Sequence, residues 1–563
     1  MASPKFPEPP RALPATSTEE IDNALNRLNK SKEAWLDVSA EKRAVLLQEC
    51  LKDLMTLSEE WIGQSCKGKG WEKGSAGEGE EWIGSFAVVV RGIQMMVEAL
   101  KANGQPKIPK TRKRSDGQEI AEVYPRNLLE KALLKKVTAE VWVEKGKPMT
   151  QGHIYRTARE QQSGKISLVL GAGNQGSIGP LDMLYKMFME NEVVILKMNP
   201  VNEYLGPYIV RAFRALIEGN YLAVIYGGAD VGKYVCAHDL VDTIHITGSC
   251  QTHDAIVWGS EENKANGERQ NIKPISSELG CVTPMLIVPG DWSASELDYQ
   301  ARHVVSMVAH NASFNCNAGK VLVLPKKWDL REKFMDRIQH HFKATQARKA
   351  YYPGAQSRYD EFLKQYPNAV VLGERTEDIV PWTIIPDVPA KEGEYALNVE
   401  AFCAVLAVTY LEDYTDATDY LNKAIDFCND HIWGTLSMML FIDDRTRKSM
   451  GNAFDDAIAK LKYGGIGVNV WAGVVYGLVT PSWGAYPGHT LEDIRSGKGV
   501  VHNGLLLDHP EKSVVYAPFV MKPTPPWFSD HKNLPGMGRA FANFESTQSI
   551  FSVPRLALNA FKG

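Results

Sequence analysis

The sequence has no segment that resembles a secretion signal, a membrane span or a nucleic-acid-binding surface. Its first twenty residues hold no apolar core of signal-peptide length, and no later stretch approaches the roughly 20 apolar residues that cross a bilayer. A net charge of -4 leaves no basic surplus for contacting a phosphate backbone. We therefore expect a cytoplasmic protein with no membrane span and no nucleic acid among its partners.

Cysteine clusters and metal-ligand spacings are also absent from the sequence. The eight cysteines lie far apart without a C-x-x-C pair, and the 13 histidines show no ligand spacing. Disulfide scaffolds and structural zinc sites depend on such clusters, so the pattern predicts reduced thiols and no metal site. One of these thiols, Cys316, lies between two asparagines in NASFNCNAGK, just before an apolar run. It is either a nucleophile or one more buried thiol.

The composition is that of a globular protein, since 44% of the 563 residues are hydrophobic and 23% are charged. Amphipathic helices open the chain, because Ser17 and Glu20 form a capping box and apolar residues recur at helical spacing after it. From Ile166 onward, short apolar runs alternate with helical patterns, and a second such region begins near Ser293. This alternation predicts an α/β fold with a doubly wound parallel sheet and a second α/β domain.

A glycine-rich segment, LVLGAGNQGSIG, follows the first of these predicted strands and can be interpreted in two ways. Gly171, Gly173 and Gly176 match G-x-G-x-x-G, the dinucleotide-binding pattern. The next strand, however, ends in Lys197 instead of the acidic residue that this pattern needs for the ribose hydroxyls. In the other interpretation, the Asn174 side chain donates its amide to an oxyanion. From this motif alone, Asn174 is equally well explained as an ordinary turn residue.

Five further segments follow the glycine-rich segment in a fixed order: VVILKMNP, IHITGSCQ, SSELGCVTP, NASFNCNAG and NVEAFCAVLAV. None of them is specific alone, but the ordered set resembles the aldehyde dehydrogenase superfamily over most of the chain, from about residue 20 to 520. The resemblance implies oxidation of a small-molecule aldehyde to a carboxylic acid, with NAD or NADP as the cofactor.

The resemblance also assigns three catalytic roles. The nucleophile falls on Cys316, the general base on Glu278 and the oxyanion donor on Asn174. These residue types suit the chemistry: a thiolate attacks the aldehyde carbon, an amide stabilises the oxyanion, and a carboxylate activates the water that releases the acid. Glu278 lies 38 positions before Cys316, so only folding can bring the two together.

Contacts to the cofactor are implied in the same way. The family uses a lysine for the adenosine ribose, a T-G-S turn beside the nicotinamide and pyrophosphate, and an E-x-F pair for the nicotinamide ribose and ring. In this chain these residues are Lys197, Thr247, Gly248, Ser249, Glu400 and Phe402. Pro200 replaces the family's glutamate after the lysine, which removes a repulsion against a 2′-phosphate. The choice between NAD and NADP therefore stays open.

The resemblance predicts a division of the chain into domains. Residues 1–130 and 156–290 would bind the cofactor, 291–480 would form the catalytic domain, and 131–155 with 498–525 would supply the strands of a small β oligomerisation element. In that element, TAEVWVEKGK pairs with KSVVYAPF, and its exposed edges would pair with another subunit in a homodimer or homotetramer. We interpret 104–117 as a surface loop and the tail, 526–563, as extended or irregular.

Several residues depart from the family pattern and concern the substrate. Ser313-Phe314 and Asn315 precede the cysteine where Gly-Gln is usual, and Trp483 stands in a C-terminal turn that also differs. We place Phe314, Asn315 and Trp483 in the substrate pocket, although simple packing explains Phe314 equally well. Cys281, next to the E-L-G motif, is interpreted as a small packing residue. These departures indicate a divergent branch with its own substrate.

Three alternatives to aldehyde oxidation come from other classes. A coenzyme-A-acylating relative passes the acyl group to a thiol, and Glu278 argues against it because such enzymes typically lack that base. A catalytically silent structural relative has no need of Cys316, Glu278 and Asn174 together. A dehydrogenase with a Rossmann-type N-terminal site would bind pyrophosphate at residues 171–176 rather than near Ser249.

Overall fold

Nineteen strands in three sheets form the frame of the protein in the residues that this computed structural model describes, which are 6, 7, 9 and 12–563. The strands are β1 (Lys110–Lys113), β2 (Glu119–Tyr124), β3 (Thr138–Val143), β4 (Ile166–Leu170), β5 (Val193–Lys197), β6 (Leu222–Ile225), β7 (Thr243–Gly248), β8 (Ile275–Leu279), β9 (Pro284–Ile287), β10 (Val321–Pro325), β11 (Val370–Leu372), β12 (Trp382–Val388), β13 (Val405–Leu411), β14 (Ser437–Phe441), β15 (Gly465–Val468), β16 (Ser482–Gly484), β17 (Gly497–Lys498), β18 (Val500–His502) and β19 (Pro510–Tyr516).

Helices cover the sheets and fill the N-terminal region and the tail. They are α1 (Thr18–Leu36), α2 (Ala40–Thr56), α3 (Ser58–Lys69), α4 (Ala76–Glu80), α5 (Val88–Lys101), α6 (Leu128–Leu133), α7 (His153–Arg156), α8 (Ile178–Phe188), α9 (Gly206–Ala212), α10 (Arg214–Glu218), α11 (Ala229–Ala237), α12 (Cys250–Val257), α13 (Glu261–Asn266), α14 (Ala294–Ala309), α15 (Arg331–Ala344), α16 (Ala355–Gln365), α17 (Tyr395–Asn398), α18 (Ala417–His431), α19 (Asp444–Met450), α20 (Asn452–Lys460), α21 (Gly473–Leu478), α22 (Leu534–Thr547) and α23 (Val553–Ala560).

The first large sheet has six strands in the order β17-β8-β7-β4-β5-β6. Strands β4 to β8 are parallel, and only the short β17 runs antiparallel, against β8. Helices α1, α8 and α11 pack against this sheet, so its central strands are buried and apolar. The predicted doubly wound parallel sheet is confirmed. All five parallel strands end at one edge, which carries Lys197, Thr247 and Gly248 of the predicted cofactor-contact residues.

A second sheet has eleven strands in the order β1-β2-β3-β19-β15-β14-β9-β10-β13-β12-β11. Its parallel centre is buried along the whole length of β9, β10 and β14. Strand β9 lies within residues 156–290, which we predicted to bind the cofactor, but it pairs with β10 and β14 in the second sheet. An apolar run of this length does not reveal which of two parallel sheets it joins.

An antiparallel flank, β1, β2 and β3, extends the second sheet. As predicted, KSVVYAPF pairs with TAEVWVEKGK, since β19 is antiparallel to β3. The interpretation of 104–117 as a loop is wrong in its centre, because Lys110 and Lys113 lie opposite Glu122 and Glu119 in β1–β2. Opposite charges across a strand pair stabilise such an edge. The flank therefore begins at Lys110, before the predicted boundary at 131.

The tail is helical, and its interpretation as irregular was wrong. Pro and Gly in LPGMGRAF hid the pattern, but Pro at the start of a helix is tolerated and Gly538 lets α22 approach Trp82, with a Cβ placed there only 2.4 Å from that side chain. Buried Glu545 on α22 accepts a hydrogen bond from Arg91 at 2.8 Å. The tail is thus fixed to the N-terminal helices.

One helical stretch, Ala76–Lys101, is long and apolar enough to cross a membrane by length and composition. The sequence analysis overlooked it because charged residues such as Arg91 interrupt the apolar run. The most apolar window of this stretch is 78% buried within the protein. The stretch also includes a π-helical segment at Glu81–Ala87. In this fold it is a core helix that contacts α2, α8 and α22.

Candidate active site

A single cavity of about 960 Å³ brings the predicted catalytic and cofactor-contact residues together. It follows the carboxyl edge of the six-stranded sheet and extends into the second α/β region, as ligand sites of parallel sheets do. The sequence-predicted residues that line it are Asn174, Lys197, Thr247, Gly248, Ser249, Glu278, Cys316, Glu400 and Phe402. The structure thus collects all nine, although they span 229 positions of the chain, from 174 to 402.

The thiol and the predicted base meet at the inner end of this cavity. The Cys316 Sγ lies 3.9 Å from Oε1 of Glu278, which is 3% exposed at the end of β8. Trp483 Nε1 donates a hydrogen bond to the same oxygen at 2.6 Å. Trp483 is fully buried on β16 and does not line the cavity. The structure therefore corrects its placement in the substrate pocket: Trp483 orients the carboxyl group of Glu278.

Burial, together with the negative charge of Asp182, raises the pKa of the Glu278 carboxyl to about 8. The hydrogen bond from Trp483 acts in the opposite direction, because an N–H donor favours the carboxylate. At pH 7 Glu278 is therefore mostly protonated, and its capacity to accept a proton grows as the pH approaches 8. A carboxyl group with such a pKa is suited to general base catalysis near neutral pH.

Replacing Trp483 by phenylalanine is expected to move the rising limb of the pH–rate profile to higher pH. Loss of the indole N–H removes a donor that favours the carboxylate of Glu278, so kcat/KM at pH 7 should fall roughly threefold to tenfold. The measurement is kcat/KM from pH 6 to 9.5. Trp471→Phe is the matched control, because that indole donates to the Asn317 carbonyl instead. An unchanged midpoint in Trp483→Phe would contradict the assignment.

The backbone before Cys316 adopts an unusual conformation. Asn311, Ala312 and Ser313 have φ of 54°, 54° and 70°, in the left-handed region that non-glycine residues rarely occupy. Each such residue costs on the order of 1–3 kcal/mol, so the surroundings must hold the loop. Asn311 does this: its Oδ1 accepts from Lys69 Nζ at 2.9 Å and its backbone N–H donates to Glu80 at 2.8 Å. Sequence reasoning missed this asparagine.

Asn174 is fixed against the same loop. Its Nδ2 donates to the Phe314 carbonyl at 2.9 Å, which uses one of two amide hydrogens, and its own carbonyl accepts from Lys69 at 2.9 Å. The glycine before it has a packing role, because a Cβ on Gly173 would lie 2.6 Å from Asn199 Oδ1. The amide is thus held beside the nucleophile loop, as an oxyanion donor requires.

Phe314 and Asn315 do not line the cavity that reaches Cys316 in the described part of the chain. The Phe314 ring packs against Tyr351 and Tyr352, with centroids 5.0 and 5.7 Å away. The Asn315 side chain accepts from Gln175 Nε2 at 3.0 Å and donates to the His310 carbonyl. The structure corrects their assignment to the substrate pocket, since both residues build the loop that carries Cys316.

The outer part of the cavity presents groups suited to a phosphate-containing ligand. Ser249 caps α12 by accepting from the Thr252 N–H at 3.1 Å, and Lys197, 8% exposed, ends β5. Helix N-termini and lysines bind phosphate groups, and buried carboxylates such as Glu400 bind hydroxyls. The cavity therefore contains a cation and a helix N-terminus for phosphate groups and a carboxylate for hydroxyls. This combination fits a nicotinamide dinucleotide.

Comparison with known proteins agrees with this geometry. The sequence profile of the aldehyde dehydrogenase family matches residues 181–473, just over half of the chain. The chain belongs to the aldehyde dehydrogenase family. The matched region contains β5 to β15 and both Glu278 and Cys316. No curated protein sequence matches this aldehyde dehydrogenase significantly.

Solved structures of other aldehyde dehydrogenases share its fold at low identity. The γ-glutamyl-γ-aminobutyraldehyde dehydrogenase of Burkholderia cenocepacia J2315 is 17% identical, with a TM-score of 0.62 over 89% of each chain. The NADP-dependent glyceraldehyde-3-phosphate dehydrogenase of Bacillus halodurans C-125 is 16% identical, with a TM-score of 0.60 over 89% of this chain and 92% of that one. An NAD-dependent aldehyde dehydrogenase of Sinorhizobium meliloti is 16% identical, with a TM-score of 0.60 over 91% and 89%.

Proposed function

We propose that this aldehyde dehydrogenase oxidises an aldehyde to a carboxylic acid through a thioester on Cys316, with NAD or NADP as the oxidant. The observation that carries the proposal is the partly buried contact of 3.9 Å between the Cys316 thiol and Glu278 at the inner end of the cavity. A thiol, a carboxyl group that titrates near neutrality and an amide in one cavity supply what acyl transfer to water needs.

The proposed roles follow from these positions. Cys316 gives up its proton to Glu278 or solvent and attacks the aldehyde carbon, and the new oxyanion is stabilised by Asn174 together with the Cys316 backbone N–H. The nicotinamide ring, when bound, supplies the hydride acceptor that turns the adduct into a thioester. Glu278 then takes a proton from water, which attacks the thioester carbon; the acid leaves and the thiolate of Cys316 is regenerated.

Both coenzymes are compatible with the residues at the adenosine end of the cavity. Lys197 supplies a positive charge there, and Pro200 offers no carboxylate against a 2′-phosphate. Among the similar structures, one is described as NAD-dependent and two as complexes with NADP. We therefore propose NAD or NADP, and the ratio of kcat/KM values for the two coenzymes measures the preference.

An aldehyde panel tests the proposed function. Aliphatic, aromatic and semialdehyde substrates are assayed with NAD and with NADP, each with and without coenzyme A. We expect NAD(P)H and free carboxylic acid from at least one aldehyde without coenzyme A. Strict dependence on coenzyme A would replace the proposal by the acylating alternative, and no turnover in any combination would favour the silent structural relative.

We still predict association into a homodimer or homotetramer, but exposed edges of β3 and β19 no longer support this prediction. Strands β3 and β19 have both edges paired within one chain, because β3 lies between β2 and β19 and β19 also pairs with β15. The outer strand of this flank, β1, is short and charged, which disfavours edge pairing. Any association would use another surface, and light scattering after size-exclusion chromatography measures it.

A further inference from the structure

Lys320 is buried four residues after the nucleophile, and its ammonium group binds the loop that carries it. The side chain is 4% exposed, and Nζ donates to the carbonyl oxygens of Asn315 at 3.0 Å, Cys316 at 2.9 Å and Ala318 at 3.3 Å. These carbonyl oxygens share the three ammonium hydrogens with the carboxylate of Glu400. Lys320 therefore fixes both the backbone position of Cys316 and a positive charge beside it.

The same ammonium group is paired with a carboxylate of the cavity. Nζ of Lys320 lies 3.1 Å from Oε1 of Glu400, which is 2% exposed and lines the cavity together with Cys316. Lys320 therefore holds Glu400 by charge and by hydrogen bonding, and no other described residue donates to this oxygen. One buried cation thus joins the predicted ribose-binding carboxylate to the nucleophile loop.

Charges around the thiol explain why this cation matters. The ionisable groups that act on Cys316 are Glu278, Lys320, Glu400, Cys281 and Tyr476. Burial raises the pKa of the Cys316 thiol, and Glu278 and Glu400 raise it further, whereas Lys320 is the group that lowers it. The ion pair with Glu400 offsets part of the effect of Lys320. Anything that draws the charge of Glu400 away from Lys320 therefore favours the thiolate.

We propose that Lys320 is a positioning residue that couples ligand binding at Glu400 to the reactivity of Cys316. Hydroxyl groups that donate to Glu400 disperse its charge, so the positive charge of Lys320 acts more strongly on the nucleophile loop. The proton of the thiol then passes to Glu278 or solvent, and the thiolate forms at a lower pH when a ribose is in place. This inference rests on the proposed function, since it takes the ribose to be that of NAD or NADP.

Alkylation of Cys316 by iodoacetamide tests the coupling without any turnover. The rate is measured from pH 6 to 10 by mass spectrometry of the Cys316 peptide, with and without saturating NAD or NADP. In the wild type we expect the cofactor to lower the midpoint of the profile. In Lys320→Met we expect the midpoint to rise, and each pH unit of that rise slows alkylation at pH 7.5 about tenfold. Adding the cofactor should no longer shift the midpoint in this variant. Lys320→Arg, which keeps the charge, should retain the cofactor effect.

Lys512 provides a matched control for the loss of a buried ammonium group. It is 1% exposed on β19, and its Nζ donates to the carbonyls of Ile458, Ala459 and Leu461 at 2.9 to 3.0 Å, away from the cavity. Lys512→Met is therefore expected to affect thermal stability but to leave the Cys316 profile and its cofactor shift unchanged. An equal loss of the shift in Lys512→Met would overturn the proposal.

Glu400→Gln keeps the inference testable if Lys320→Met fails to fold. Without its carboxylate, Cys316 should alkylate in the absence of cofactor at least as fast as the wild type does in its presence. Two outcomes overturn the coupling, even if aldehyde is oxidised. One is a cofactor-induced shift of the midpoint that persists in Lys320→Met, and the other is a wild-type profile that does not respond to either cofactor. Absence of turnover with the shift intact would instead overturn the proposed function alone.

Discussion

Replacing Cys316 by alanine is expected to abolish NAD(P)H formation from every accepted aldehyde, lowering kcat on the order of 10³-fold or more. The structure offers no second thiol at the inner end of the cavity in the described residues: of the cysteines, only Cys236 and Cys316 line it, and Cys236 lies on α11 at its outer part. Without Cys316 no thioester forms, and water has to attack an unactivated aldehyde. The measurement is NAD(P)H absorbance with the best aldehyde of the panel.

The control for this variant is Cys281→Ala. Cys281 is fully buried, 3.8 Å from the Ser437 carbonyl, and follows Glu278 in the chain by three positions. Alanine is smaller and removes only a packing thiol, so kcat is expected to stay within about twofold while stability falls by roughly 1 kcal/mol. Full activity in Cys316→Ala, or its loss in Cys281→Ala with Cys316 intact, would contradict the assignment of the nucleophile.

Glutamine in place of Glu278 is expected to block release of the acid while leaving the first turnover possible. The amide cannot accept a proton from water, so steady-state kcat should fall on the order of 10²–10⁴-fold. Formation of the thioester does not need that base for water, and a burst of one NAD(P)H per active site should precede the slow phase. Stopped-flow absorbance measures both the burst and the slow phase.

Glu192→Gln is the matched control for Glu278→Gln. Glu192 is also a buried carboxylate beside the six-stranded sheet, where it accepts from Thr243 at 2.8 Å and pairs with Lys186 at 3.1 Å, but it does not line the cavity. We expect no burst and an unchanged kcat in this variant. Rapid steady-state turnover in Glu278→Gln would show that another group activates water.

The nine predicted residues that line the cavity could be named from the sequence because its ordered motifs resemble the aldehyde dehydrogenase pattern. In a parallel sheet the carboxyl ends of the strands meet at one edge, so Lys197 and Ser249 had to lie near each other once the strands were identified. The distance between Cys316 and Glu278 and the pKa of Glu278 could not be predicted from the sequence, because both depend on burial by residues far along the chain.

Contacts across long separations account for the parts of the site that sequence reasoning missed. Trp483 reaches Glu278 over 205 positions, and the pattern around it gave no sign of a hydrogen bond. Nothing in the sequence connects Lys320 to its partner Glu400, which is 80 positions away. Asn311 bonds to Lys69 over 242 positions, and its left-handed backbone is typical of asparagine, which is the one signal that could have indicated it.

The most direct test of the thioester mechanism is the mass of the Cys316 peptide after Glu278→Gln has reacted with the best aldehyde and its preferred coenzyme. Quenching after the burst and digesting at low pH preserves a thioester. The account predicts that Cys316 carries one acyl group, with the mass of the aldehyde minus two hydrogens added to the peptide, and that the other seven cysteines are unmodified. An acyl group on a different residue, or an unmodified Cys316 in a variant that shows the burst, would contradict it.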